Sequence, residues 1–486
     1  MFRRFVLPFL FMLAACSEAP EDAALAVALV GTEADLASDG LRLSPAAQSI
    51  RAATAQGLVR LDATGEVVPG VAQSWIVTED GLSYIFRLHS LTWPDGEPLT
   101  AQGVRRQLQQ AIRDLRGTSL GLDLAKVAEV RALTSRVVEI ELSSPQAQFL
   151  RVLAQPELGI LQDGAGLGPM RAVEASGTRT LQPLPPEMRG LPEDPRWAEA
   201  ARPLRITAVP AAEAVAAFDD GQLAAVLGGE LATLPLVDTG PLTRGTVRVD
   251  IALGLFGLDV VRADGFLAEA ENREAVAMAI DRAALAEPFA VADWPVATRV
   301  VPPALPGDPR QNTERWSGLD LPARQQIAAA RVARWRAAEG ELEPLLIRLP
   351  PGPGSDLLYE RLAANLAAVG LATGRAAENG PADLMLRDRI ARYGQARWFL
   401  NQFHCSVEPT LCSAEADELV RRANDALNPL ERAALLAQAE DALTAQNLFI
   451  PLGAPIRWSL LRSGVEGFGE NIWAVHPLFA LSGAPI

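Results

Sequence analysis

Residues 84–104 read YIFRLHSLTWPDGEPLTAQGV, an order too specific for a surface loop. The run over 84–88 alternates in the manner of a half-buried strand. Pro94, Asp95 and Gly96 carry turn chemistry, since proline presets φ and glycine supplies a positive φ. Thr100 stands where a helix N-cap belongs, ahead of helix formers that run to about Asp114. A strand, a turn and a helix within so short a span predict an α/β protein.

The rest of the chain keeps that mixture. Strands are expected at 25–30, through 57–88 with turns at Thr64-Gly65 and Asp80-Gly81, at 136–144, at 204–210 and near 344–349. Helices are expected at 46–56, from Asn272 onward, at 322–338, at 357–369 and at 428–446. A proline-rich loop covers 301–310, and no repeat or low-complexity block appears. At 486 residues the chain exceeds one hydrophobic core, so two or three domains are expected.

The N-terminus speaks to location. Arg3 and Arg4 precede an apolar run over 5–13, far short of the ~20 residues that span a bilayer, so 1–15 reads as a signal peptide. Leu13-Ala14-Ala15-Cys16 resembles a bacterial lipobox, which implies cleavage before Cys16, lipid on its thiol and a polar tether over 16–24. An ordinary signal peptide with a chance cysteine is the alternative. In an oxidising compartment the two other cysteines, Cys405 and Cys412, are expected to form a disulfide. Two thiols beside a lone His404 fall short of four zinc ligands.

The net charge of −15, from 44 basic and 59 acidic residues, argues against nucleic acid and against docking on anionic lipid by surface charge. Nearly every cation is arginine, and Lys126 is the one lysine in the sequence. Enzymatic readings find little support. His89, His404 and His476 lie far apart, and no zinc-protease, nucleophile-elbow or Walker motif occurs. The Gly-rich GAGLG at 164–168 runs into Pro169 rather than opening a helix. No enzyme, metal or cofactor is expected.

Longer patterns bring a family into view. The segments PGVAQSWIVTEDGLSYIFRL and LTWPDGEPLTAQGV resemble the signature of extracellular solute-binding protein family 5, the peptide- and nickel-binding components of ABC importers. Ser74, Trp75, Asp80-Gly81, Asp95-Gly96, Pro98-Leu99-Thr100-Ala101 and Val104 keep its pattern, while Gly103 stands where the family has Asp. ENREAVAMAIDRAAL and ADELVRRANDALNPLERAALLAQAEDALTAQNLFIPL are similar to its later blocks, and Ala225 replaces another family Asp. The resemblance implies a periplasmic-binding-protein type II-like fold of two lobes with an additional α/β subdomain in the N-terminal half. Lobe one would take 25–50, 165–255 and 456–486, the subdomain packed on it 51–164, and lobe two 256–455. It also implies a periplasmic monomer, lipid-anchored in a Gram-negative-type envelope. Such a protein closes on a peptide or other small solute and passes it to an ABC permease with its ATPase subunits.

The resemblance implies that ligand specificity resides in the segment before the last helices, where the family's peptide binders carry an Asp that pairs with the peptide's amino terminus. That position falls at or near Tyr393, and Arg389, Arg392 and Arg397 crowd the stretch instead. A cation facing an ammonium repels it where water is excluded. The planar guanidinium suits a carboxylate or phosphate, so a ligand with an anionic group is expected. Arg389, Arg392, Tyr393, Arg397 and Trp398, with Thr32 and Glu33 after the first apolar strand, form the candidate ligand-binding set. The altered positions Gly103, Ala225 and Tyr393 also allow an envelope lipoprotein of this fold without a transport role, chaperone-like or an interaction protein.

Overall fold

The computed structural model describes residues 24–37, 40–175, 178–238, 245–303, 305 and 313–483. The leader, the tether up to residue 23 and Cys16 lie outside them.

Three sheets organise the chain. Lobe one holds a seven-stranded sheet built from Leu25–Val30, Met170–Ala175, Thr178–Pro183, Leu204–Val209, Ala225–Glu230, Val247–Ile251 and Ile456–Leu461. Leu25–Val30 runs parallel to both Leu204–Val209 and Ala225–Glu230. Lobe two holds a five-stranded sheet of Gly254–Val260, Leu345–Arg348, Thr373–Arg375, Leu384–Ile390 and Phe449–Gly453. The subdomain holds an antiparallel sheet of Ala72–Val77, Ser83–Leu88, Val127–Thr134 and Val137–Leu142.

The chain passes between the lobes at 252–253 and again at 454–455, each time from one strand directly into another. Backbones crowd there. A Cβ on Gly254 would lie 2.0 Å from the Arg389 carbonyl oxygen, so only glycine fits at that crossing. The lobes also meet where the helix Pro353–Ala368 begins. A Cβ on Gly354 would lie 2.0 Å from the Leu231 carbonyl oxygen, just beyond the lobe-one strand Ala225–Glu230.

The stretch 84–104 folds as its sequence directs. Ser83–Leu88 is a strand with Phe86 and Leu88 fully buried. Trp93 is buried, its N–H bonds to the Glu97 carbonyl at 2.8 Å, and Gly96 takes φ 92°. Thr100 caps the helix Ala101–Asp114 by accepting from the Gly103 N–H at 3.1 Å. The core around this unit does not stop at the subdomain. It continues through Tyr84, Phe86, Trp93, Val104 and Phe149 into Tyr393, Trp398, Phe399 and Phe403 of lobe two. The subdomain therefore packs on lobe two, and Arg151 lying over the Trp473 ring joins it to lobe one as well. Cys405 and Cys412 form a disulfide that closes the loop ahead of the helix Ala414–Asp425.

Gly103 occupies the third helical position, where an acidic side chain would reach back to the cap N–H and face the positive helix end. Its φ is not in the left-handed region, and a Cβ would meet only the Thr100 hydroxyl, at 3.3 Å, and the end of the Arg106 side chain. Gly103→Asp should therefore stabilise the folded chain by about 1 kcal/mol, seen as a higher urea midpoint. An unchanged or lower midpoint contradicts this account of the cap.

Candidate functional site

Ligands of open α/β sheets lie beyond the carboxyl ends of parallel strands. In lobe one these ends carry Thr32 and Glu33 after Leu25–Val30, and Glu230 at the end of Ala225–Glu230. Thr32 and Glu33 are exposed. The Thr32 N–H and hydroxyl both donate to Asp35, at 2.8 and 2.7 Å, which fixes the turn and leaves Glu33 in solvent.

Glu230 faces lobe two. Arg457, on the strand next to it, donates to one oxygen of Asp388 of lobe two at 3.0 Å, has its other terminal nitrogen 2.9 Å from the second oxygen as an ion pair, and lies 3.7 Å from Glu230. Asp388 and Arg457 are 12% and 11% exposed at the side chain, against 38% for Glu230. The group holds two carboxylates to one guanidinium. Burial pushes the Glu230 carboxyl up, Arg457 opposes the rise and Asp388 adds to it.

A second cluster joins the subdomain to lobe two. The short helix Ser119–Asp123 ends on Asp123, whose side chain is fully buried. One Asp123 oxygen accepts from the Tyr393 hydroxyl at 2.7 Å and the Asn401 amide at 2.8 Å. The other accepts from Arg392 at 2.7 and 3.2 Å, and Arg392 also donates to Ser119 at 3.0 Å. Burial, with the Asp123 carboxylate behind it, raises the Tyr393 hydroxyl well above the usual phenol range. Arg397 donates to the Leu122 carbonyl at 2.6 Å and the Gln146 side-chain oxygen at 3.1 Å. Lys126 lies in the same seam, 6% exposed. Burial, then the like charges of Arg397 and Arg432, bring its ammonium down to about 7, against a smaller pull from Asp425.

Arg389 differs from these. It is exposed, and it donates to the neutral side chain of Gln402 at 3.2 Å. Among the described residues no carboxylate forms an ion pair with it. Desolvation and then the like charge of Arg387 lower its pKa, with Glu408 opposing. Arg387, two residues earlier on the strand, is bound to Asp259 at 2.9 Å and lies over the Phe403 ring.

The structure thus brings Arg392, Tyr393 and Arg397 into one seam and leaves Arg389 at its accessible edge. Thr32 and Glu33 lie apart from them on lobe one. Trp398 is 1% exposed and stands edge-on to Phe399, so it packs in the core. Arg392 and Tyr393 both face a protein carboxylate. Sequence reasoning missed Asp123, Asn401, Gln146, Glu230, Asp388 and Arg457. An arginine-rich buried segment implies acceptors elsewhere, but nothing in the sequence marked which acids those are.

Residues 66–406 match the family described as Bacterial extracellular solute-binding proteins, family 5 Middle. The chain belongs to that family. It is 26% identical over 475 residues to a probable di/tripeptide-binding protein 5 of Pseudomonas aeruginosa, covering 85% of this chain and 87% of that one. Its fold matches Haemophilus influenzae OppA in complex with the peptide RPPGFSPFR, with a TM-score of 0.78 at 16% identity over 94% and 98% of the two chains. It also matches the Escherichia coli murein tripeptide binding protein MppA, with a TM-score of 0.77 at 17% identity over 93% and 97%. The architecture is accordingly the two-lobe type II fold of periplasmic binding proteins, and the role it supports is solute binding. No helix among the described residues is long and apolar enough to cross a membrane. No group of three or more metal-ligating side chains occurs among them.

Proposed function

We propose that the chain is the substrate-binding lipoprotein of an ABC importer. It captures a peptide or other small solute bearing an anionic group between its lobes and delivers it to a membrane permease powered by ATPase subunits. It works as a periplasmic monomer held to the membrane by lipid on Cys16. Arg389 carries the anionic part of this reading. It is the one guanidinium of the arginine-rich segment that is exposed, it is held by a neutral amide, and the like charge of Arg387 acts on it against a smaller pull from Glu408. A ligand carboxylate or phosphate would supply the counter-charge that the protein gives Arg392 through Asp123. The net charge of −15 makes long-range steering of an anion unfavourable, so the attraction must be short-range. A peptide offers such a group in its C-terminus, and peptide binding by the relatives fits that chemistry.

Thermal-shift screening of the soluble chain against peptides, organic acids and sugars tests the reading. Binding raises stability by RT ln(1 + [L]/Kd), about 2.7 kcal/mol at 100 Kd. The best ligands should be anionic, and Arg389→Ala should weaken them at least ~30-fold while leaving the ligand-free melting temperature unchanged. A neutral or cationic best ligand, bound equally by the variant, contradicts the assignment. For the anchor, intact mass of membrane-fraction protein should correspond to a chain beginning at an acylated Cys16. A chain with Cys16 unmodified removes the lipid from the account.

A further inference from the structure

The seam between subdomain and lobe two contains more than packing. Asp123 is fully buried, and its carboxylate partners Arg392, Tyr393 and Asn401 all come from lobe two, 269 to 278 residues away in sequence. A buried carboxylate that loses its donors is strongly destabilised. Separating the lobes at this seam strips Asp123 of Arg392, Tyr393 and Asn401 together. It also breaks the Arg397 bonds to Leu122 and Gln146. The geometry points to Asp123 as an interlobe latch: one carboxylate on the subdomain that holds lobe two in contact and sets how readily the lobes part.

A latch differs from an ordinary buried pair in where its partners lie. Arg387 and Asp259 are also buried, but both belong to the sheet of lobe two, and lobe motion leaves that pair intact. Arg457 and Asp388 do span the lobes, yet they sit directly beside the chain crossings, where movement is smallest. Asp123 lies on a different unit from its partners and is joined to them only through folded contacts. In the same seam stands Lys126, the one lysine of the chain, buried and close enough to Arg397 and Arg432 of lobe two for their charges to act on it. Its amine becomes reachable when lobe two withdraws, which gives the latch a built-in reporter.

The inference needs the two-lobe fold but not the ligand assigned above. A failed ligand screen leaves it standing, and its own failure leaves the ligand reading intact. The test uses the soluble chain treated with an amine-reactive acetylating ester, with modification at Lys126 followed by peptide mass mapping, which separates it from the terminal amine. Rates are taken at two pH values, so that a change in amine basicity is distinguished from a change in access. Asp123→Asn keeps the shape and removes the charge. It should speed Lys126 acetylation at least ~30-fold, the low end expected when one partner of a buried charge pair is lost. Circular dichroism should be unchanged and the radius of gyration by X-ray scattering should rise. Tyr393→Phe removes one hydroxyl and should give a smaller rise in the same direction. Unchanged acetylation in both variants overturns the latch. So does faster acetylation with no change in radius, because that is local loosening. Should Asp123→Asn unfold, the folded Tyr393→Phe variant decides by the same two readouts.

Discussion

A single carboxylate with no access to water joins two parts of this protein that are far apart in sequence. Moving such a group out of water costs several kcal/mol even after the surroundings relax, and only well-placed donors offset it. Asp123 belongs to a helix of five residues, too short to supply those donors itself. They arrive from Arg392, Tyr393 and Asn401, beyond the end of the lobe-two strand Leu384–Ile390. The arginine-rich segment is thereby fixed from the far side of the seam. Its basic character answers in part to an acid of the protein's own.

The second interlobe contact works differently. Arg457 is shared between Asp388 and Glu230 beside the chain crossings, and the extra carboxylate leaves the site one negative charge in excess. Arg389, on the neighbouring position of the same strand, leaves an excess positive charge on the opposite face of the sheet. Adjacent strand residues point to opposite faces, so one strand end presents both signs on its two sides. Glycines at the crossings permit the close backbone approach there.

Local structure was legible in the sequence because its causes are local. The turn at Trp93–Gly96 and the Thr100 cap follow from proline, glycine and threonine acting on their immediate neighbours. The family, and with it the fold class, was legible because several such units occur in order. The candidate site was legible only on one side. The crowding of Arg389, Arg392 and Arg397 is visible in the chain, but the sequence could not tell that Arg392 has a partner 269 residues away while Arg389 pairs with no carboxylate among the described residues. Trp398 illustrates the same limit. An aromatic beside arginines suits a ligand surface or a core equally, and only the packing against Phe399 decides. Asp123 itself sits in an unremarkable stretch, LGLDLAK, where nothing distinguishes it from the chain's other acids.

The central claim is that the subdomain and lobe two are energetically one unit at this seam. Native-state hydrogen–deuterium exchange along a mild urea series tests it most directly, because it resolves which segments open together. Amides of 119–124 and of 391–402 should share one opening free energy and one urea dependence, despite their distance in sequence. If 119–124 instead opens with the sheet Ala72–Leu142 while 391–402 opens separately with lobe two, the two units merely touch, and the account is wrong.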